Sequence, residues 1–271
     1  MLHHIAFYRF AALTDADAVV TRLRVVTADL LGSILVASEG INGMLAGSAQ
    51  QLDDFEQTLR SDSVFGGAFA GTVFKRTECI SQPFKRMKVH AKKEIVPLGI
   101  DGVDAAHRLA DIERTNVSPQ AWRELIKQPD VVLLDNRNSF EYRLGKFDGA
   151  IDPGVVNFRD FPEYVKAHAL QWKAENKKVA MYCTGGIRCE KSSVWMQDLG
   201  LDVYQLEGGI LNYFKEMPDA SQDWQGECFV FDNRVALDTY LNETDTTVEQ
   251  VYESEPDGLW RLARAKTLNS D

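Results

Sequence analysis

The stretch Val179-Ala-Met-Tyr-Cys183-Thr-Gly-Gly-Ile-Arg188-Cys189-Glu190-Lys191 decides how the second half of the chain is read. Residues 179–182 are too uniformly apolar to alternate between a wet and a dry face, which marks a strand covered on both sides. The strand runs into a glycine pair, and helical spacing resumes over 189–199. Such a strand, tight turn and helix start curl backbone N–H groups around the residue at the strand end and aim a helix N-terminus at it. That residue is Cys183. Both effects favour its thiolate, and Arg188 adds a positive charge nearby. Gly185 and Gly186 are expected to supply the positive φ angles that so tight a cradle demands. A lone cysteine at a strand end is ordinarily a small buried hydrophobe. Here strand, double glycine, arginine and helix coincide, which makes Cys183 the candidate nucleophile and Thr184, Gly185, Gly186, Ile187 and Arg188 its loop.

Working outward, residues 131–134 and 203–206 form two more apolar strand segments, and Ser118-Pro119 has the form of a helix N-cap followed by a first-turn proline. Buried strands alternating with helices predict a parallel sheet covered by helices. The first hundred residues read differently. A strand at 5–10 precedes a helix at 15–31, with Val19, Leu23, Val26 and Leu30 on one face and Gly32 as its stop. Two strands at 33–37 and 41–45 follow, split by Ser38-Glu39-Gly40. A helix at 49–60 carries Leu52, Phe55 and Leu59, and a last strand lies at 71–77. The order βαββαβ predicts a ferredoxin-like domain. The expected organisation is a ferredoxin-like α+β domain over 1–98, a polar linker over 99–117, an α/β domain over 118–218 and an extension over 219–271. The last thirty residues, acidic and polar before Leu259-Trp260, read as a loosely held tail.

Composition excludes several classes. With 271 residues, 45% hydrophobic and 26% charged, the chain fits an ordinary two-domain globular protein and not a disordered or fibrous one. Its longest apolar runs fall far short of the roughly 18 residues of a membrane helix, and the N-terminus has no signal-peptide pattern. A cytoplasmic protein is expected. Four cysteines without a C-x-x-C pair argue against a disulfide scaffold or a zinc site. Cys79 and Cys228 read as structural. Cys189 has two readings that spacing leaves open: a resolving thiol for an oxidised Cys183, or an inward-packed helix residue. The five histidines show no metal-ligand spacing, and no glycine fingerprint marks a dinucleotide site.

The net charge of −10 speaks against nonspecific nucleic-acid coating, yet the charge is unevenly spread. Residues 75–93 hold seven basic side chains against Glu78 alone, a local +6 that leaves the rest at −16. Lys85, Arg86, Lys88, Lys92 and Lys93, with Phe84 among them, are therefore candidate RNA contacts.

The Cys183–Arg188 loop resembles the six-residue active-site loop of the rhodanese superfamily. Val132-Leu-Leu-Asp135-Asn-Arg137 with Glu141 and Phe147-Asp-Gly-Ala150 is similar to that family's first signature, and Gln205-Leu-Glu-Gly-Gly-Ile210 to the segment after its active-site helix. Phosphatases of related fold have one more residue between cysteine and arginine, so the shorter loop here suits a sulfur atom better than a phosphoryl group. Asp135 and Arg137 read as a structural pair at a strand end. Ser38-Glu-Gly-Ile-Asn-Gly-Met-Leu-Ala-Gly47, Met87-Lys-Val-His-Ala-Lys-Lys-Glu-Ile-Val96 and Gly226-Glu-Cys-Phe-Val-Phe-Asp232 flank the loop in an order that resembles the rhodanese-domain tRNA uridine hydroxylases. That resemblance implies oxygen-dependent formation of 5-hydroxyuridine at position 34, in the tRNA anticodon loop, with Cys183 essential. It also implies molecular oxygen and a reductant as co-reactants, although no metal or flavin site is visible in the sequence. The alternative is a sulfurtransferase carrying sulfane sulfur on Cys183. Many members of the family add a cysteine-rich tail, and this chain has no cysteine beyond Cys228.

Overall fold

The computed structural model describes residues 2–253 and 258–270. The chain forms two compact units. The first comprises Met1–Pro97, Asp104–Leu109 and Asp232–Arg234, and the second Leu98–Val103, Ala110–Phe231 and Val235–Asp271.

The first unit runs β1 (Leu2–Phe10), α1 (Ala16–Val26), β2 (Leu31–Ala37), β3 (Gly40–Gly47), α2 (Ala49–Ser61), β4 (Val73–Cys79) and β5 (Met87–Ala91). The sheet order is β4-β1-β3-β2-β5, a ferredoxin-like βαββαβ sheet with β5 added at one edge, parallel to β2. Side-chain caps set the helix starts. The Asp15 carboxylate accepts the Ala18 N–H, and Ser48 with Gln51 makes a capping box. Ile5 and Phe7 of β1, Val19 and Leu23 of α1, and Leu52 and Phe55 of α2 share one buried core. Two details depart from the sequence reading. Helix α1 ends at Val26 and Gly32 lies inside β2. The basic segment contributes a strand, β5, whose buried Val89 lies between the more exposed Lys88 and His90.

Pairing register explains where the positive charge goes. Phe74 of β4 packs beside Phe7 on the helix-covered face, and Arg76, on the same face, pairs with Asp53 and Glu56 of α2 at 2.7 and 2.8 Å. Lys75 points the other way. It heads a cross-strand row, Lys75–Ala6–Met44–Ser33–Lys88, that spans all five strands on the face away from the helices. Residues of the later chain also belong to this unit: Arg234 grips Asp232 through two nitrogens and reaches Thr77, and the Asn233 N–H donates to the Pro83 carbonyl.

In chain order the second unit contains α3 (Leu109–Thr115), β6 (Asn116–Val117), α4 (Pro119–Leu125), β7 (Val131–Asp135), α5 (Ser139–Leu144), β8 (Gly145–Phe147), α6 (Phe161–Ala174), β9 (Lys178–Tyr182), α7 (Ile187–Asp198), β10 (Asp202–Leu206), α8 (Gly209–Glu216), β11 (Trp224–Gly226), β12 (Cys228–Phe229), β13 (Ala236–Leu237), α9 (Val248–Tyr252) and α10 (Gly258–Ser270). Its main sheet, β6-β10-β9-β7, is wholly parallel, as the apolar strands predict.

The segment read as a linker, 99–117, is not bare connection. It holds α3 and the edge strand β6, tied down where the buried Gln205 amide donates to the Ile112 carbonyl and to Thr115 Oγ1. A seven-residue helix and a two-residue strand are too short to show a period. Nor does the core stop at 218. Ala220, Trp224 and Cys228 are buried with Phe147, Tyr182 and Tyr213, and β11 pairs with β8. The tail expected to be loosely held is also packed in its described part. Val251, Tyr252 and Leu262 are buried against Phe140 and Phe229, while residues 254–257 and 271 lie outside the described residues. Acidic residues between the apolar anchors concealed this packing. Among the described residues, no helix is long and apolar enough to cross a membrane.

Candidate active site

Cys183 follows directly on β9, and α7 begins four residues later. The chain reverses at Gly186, which takes φ 103° as the N-cap of α7. Gly185 does not share this conformation, contrary to the sequence expectation, because one left-handed residue completes the reversal. The Gly186 N–H donates to Cys183 Sγ at 3.1 Å. Burial alone would push the buried thiol up. The Cys189 thiol donating to it, the Arg188 charge, and the backbone N–H groups of Cys189 and Gly186 outweigh burial and hold Cys183 well below the ordinary cysteine range. The same contacts act oppositely on Cys189. Burial and the adjacent Cys183 thiolate push it well up, so it remains the protonated donor of the pair. Cys228, also buried, is pushed up to about 12, chiefly by burial, which outweighs the opposing pull of Arg137. Cys79 is buried as well.

Arg188 is positioned by a residue whose partner the sequence reading did not identify. Its guanidinium meets Glu141 through two nitrogens, at 2.7 and 2.8 Å, and touches Thr184 Oγ1 at 3.3 Å. Glu141 is fully buried in the first turn of α5 and also accepts the Asn138 N–H. Burial works against its charge, but Arg188 holds the carboxylate below its usual range. The spacing Asn138-x-x-Glu141 is the available sequence signal, since Asn before a helix and Glu three residues on form a capping pattern. Beneath the loop, Asn136 donates to Ser192 Oγ at 2.8 Å and toward Cys189 Sγ at 3.8 Å. Asp135 and Arg137 do form the structural pair expected of them. Both are fully buried and joined by two bonds of 2.8 and 2.6 Å, and Arg137 also donates to the Gly145 carbonyl.

Gly209 closes the loop from behind. The N–H groups of Ile210 and Leu211 in α8 donate to the Cys183 and Thr184 carbonyls at 3.0 and 3.2 Å. A Cβ on Gly209 would lie 2.4 Å from the Cys183 carbonyl oxygen and 2.8 Å from the Gly186 nitrogen, at φ +70°. Gly209→Ala is therefore expected to displace the loop backbone, at a cost of about 1–3 kcal/mol. The variant should lose fast alkylation of Cys183 at mildly acidic pH, and a wild-type alkylation rate would show the loop to be adaptable.

The basic residues of segment 75–93, the five candidate RNA contacts among them, lie in the first unit and separate into two groups. Arg76 is consumed by its carboxylates, and Lys75 lies over the Tyr8 ring. Lys85, Arg86, Lys88, Lys92 and Lys93 make no side-chain ion pair among the described residues. No group of three metal-ligating side chains is present among the described residues.

Residues 2–95 match the family described as UPF0176 acylphosphatase like domain, and residues 118–216 match the rhodanese-like domain. A tRNA uridine(34) hydroxylase of Legionella pneumophila (strain Corby) is 42% identical over 255 residues, which cover 92% of this chain and 96% of that protein. A tRNA uridine(34) hydroxylase of Bradyrhizobium diazoefficiens is 44% identical over 243 residues, covering 89% and 93% respectively.

Proposed function

The chain belongs to the tRNA uridine(34) hydroxylase family, and from that membership we propose that it hydroxylates C5 of the wobble uridine, one atom of molecular oxygen entering the base and the other leaving as water at the expense of a two-electron reductant, with Cys183 as the reactive group. The observation that carries the role of Cys183 is the loop itself: a buried sulfur held as thiolate by a backbone N–H, a neighbouring thiol and an arginine. Cys189 is the donor of that pair. Nucleoside mass spectrometry of tRNA from cells with and without the protein tests the activity. Loss of 5-hydroxyuridine on deletion supports it, and an unchanged level refutes it.

The tRNA substrate assigns work to the first unit. Base chemistry on an anticodon loop requires phosphates to be held while the base is exposed, and the unpaired cations of residues 85–93 supply the charge. Neutralising Lys85, Arg86 and Lys88 together should weaken tRNA binding and flatten its salt dependence by up to about one log–log unit per lost phosphate contact. Affinities measured at several salt concentrations check this. Identical slopes for wild type and the triple variant would remove the assignment.

A second reading, sulfur transfer through a Cys183 persulfide, is favoured by one observation. The loop from Cys183 to Arg188 is compact, and its arginine is turned onto Glu141. Rapid thiosulfate-to-cyanide turnover combined with unchanged tRNA would select that reading instead.

A further inference from the structure

Phe231 has no part in the core, yet it is held beside the active-site loop. The Arg188 guanidinium lies over its ring at 5.9 Å from the centroid, and Phe229 abuts it edge-on at 5.0 Å and 88°. Phe229 is itself buried, packed edge-on against Phe140 at 5.0 Å. The ring is thus braced on two sides, while half of its surface stays open. Folding gains little from a phenylalanine left half exposed, since the favourable term scales with apolar area removed from water. The turn that carries it is strained. Val235, a β-branched residue, sits at φ 63°, and the Val230 N–H closes onto its carbonyl at 2.9 Å.

Resting on the reading of the chain as a tRNA uridine hydroxylase, we propose that Phe231 is the stacking platform for the uracil ring of the target nucleotide. A base removed from its neighbours in an anticodon loop loses stacking, and proteins that act on such bases commonly replace it with an aromatic face. Phe231 offers that face one guanidinium away from the cysteine loop. Because Arg188 is paired with Glu141 beneath the ring, the cation holds the platform and leaves the base-facing side apolar. Stacking of this kind is indifferent to hydrogen-bonding pattern. Phe231 therefore orients the ring, and discrimination between bases falls to other groups.

Two measurements test the proposal. The first is crosslinking of an anticodon stem-loop carrying 5-iodouridine at position 34. On irradiation the crosslink is expected at Phe231, and Phe231→Leu should abolish it. A crosslink at another residue of the second unit would overturn the platform while sustaining the parent reading. No crosslink to the second unit, with no 5-hydroxyuridine produced by wild type in cells, would count against both. The second is kinetic. Phe231→Ala should lower kcat/KM for tRNA by about tenfold to a hundredfold, and Phe231→Trp should restore it. Alkylation of Cys183 should stay at the wild-type rate throughout, a readout that general damage to the loop would move. Equal kcat/KM for wild type and Phe231→Ala, or full activity in Phe231→Leu, would show that no aromatic face is needed.

Discussion

Iodoacetamide should modify Cys183 at about pH 6, a pH at which an ordinary cysteine is almost wholly protonated and inert. The other three cysteines should remain intact under the same conditions. The thiolate is the nucleophile, so the pH profile of alkylation reports the balance of forces on each sulfur. For Cys183, burial is outweighed by the donors from Cys189 and Gly186 and by Arg188. For Cys189 and Cys228 burial prevails and the thiols stay protonated. The sign follows for a variant. Cys189→Ala removes a donor to the charged form, so the Cys183 profile must move to higher pH, while Cys189→Ser retains an O–H donor and should move it back. Peptide mass spectrometry after timed alkylation resolves the sites. Coincident profiles for wild type and Cys189→Ala would deny the hydrogen bond its role.

Asp135→Ala should be among the most damaging single substitutions in the second unit. Asp135 and Arg137 are both fully buried, and beyond Asp135 Arg137 donates to the Gly145 carbonyl alone among the described residues. Removing one member of such a pair leaves an uncompensated buried charge, at about 3–5 kcal/mol, against a total stability of about 5–15 kcal/mol for a typical protein. Arg137 also lies against the Tyr182 and Trp224 rings, at 5.6 and 5.3 Å, so the disturbance would reach the strand that carries Cys183. Asp135→Val combined with Arg137→Met should recover part of the loss, because an apolar pair carries no desolvation penalty. Denaturant unfolding of the two variants decides. A single variant as stable as wild type would mean that water or a rearranged donor satisfies Arg137.

The contrast between the two halves of the chain shows what a sequence makes legible. Residues 179–191 could be read because a covered strand, a double glycine and a helix start are local features whose geometry follows from the residues themselves. The βαββαβ order was legible for the same reason, since β1 and α2 each carry a clear period. What escaped depends on contacts between distant residues. Glu141 lies 47 positions from Arg188, and nothing at either place alone identifies the other. Gly209 matters because Cys183, Thr184 and Gly186 pack against it, which only the folded chain shows. Strand β5 was hidden by its own lysines, since alternation is hard to see when the outward residues dominate the composition. The packing of α9 onto Phe140 and Phe229 was hidden likewise by acidic residues. Phe231 carries no local signal within Gly226–Asp232, because its open ring beside Arg188 exists only in the folded chain.

If Cys183, in its rhodanese-type loop, performs the hydroxylation of uridine 34, its sulfur is indispensable to the reaction. The most direct test restores a strain lacking the protein with wild type or with Cys183→Ser, then measures 5-hydroxyuridine in isolated tRNA. Serine is close to cysteine in size and keeps an acceptor for the Gly186 N–H, so the fold should be retained, which thermal unfolding confirms. Wild type is expected to restore the modified nucleoside, and Cys183→Ser to leave it at the level of the deleted strain. Restoration by a folded Cys183→Ser protein would show that the Cys183 sulfur is not required for hydroxylation.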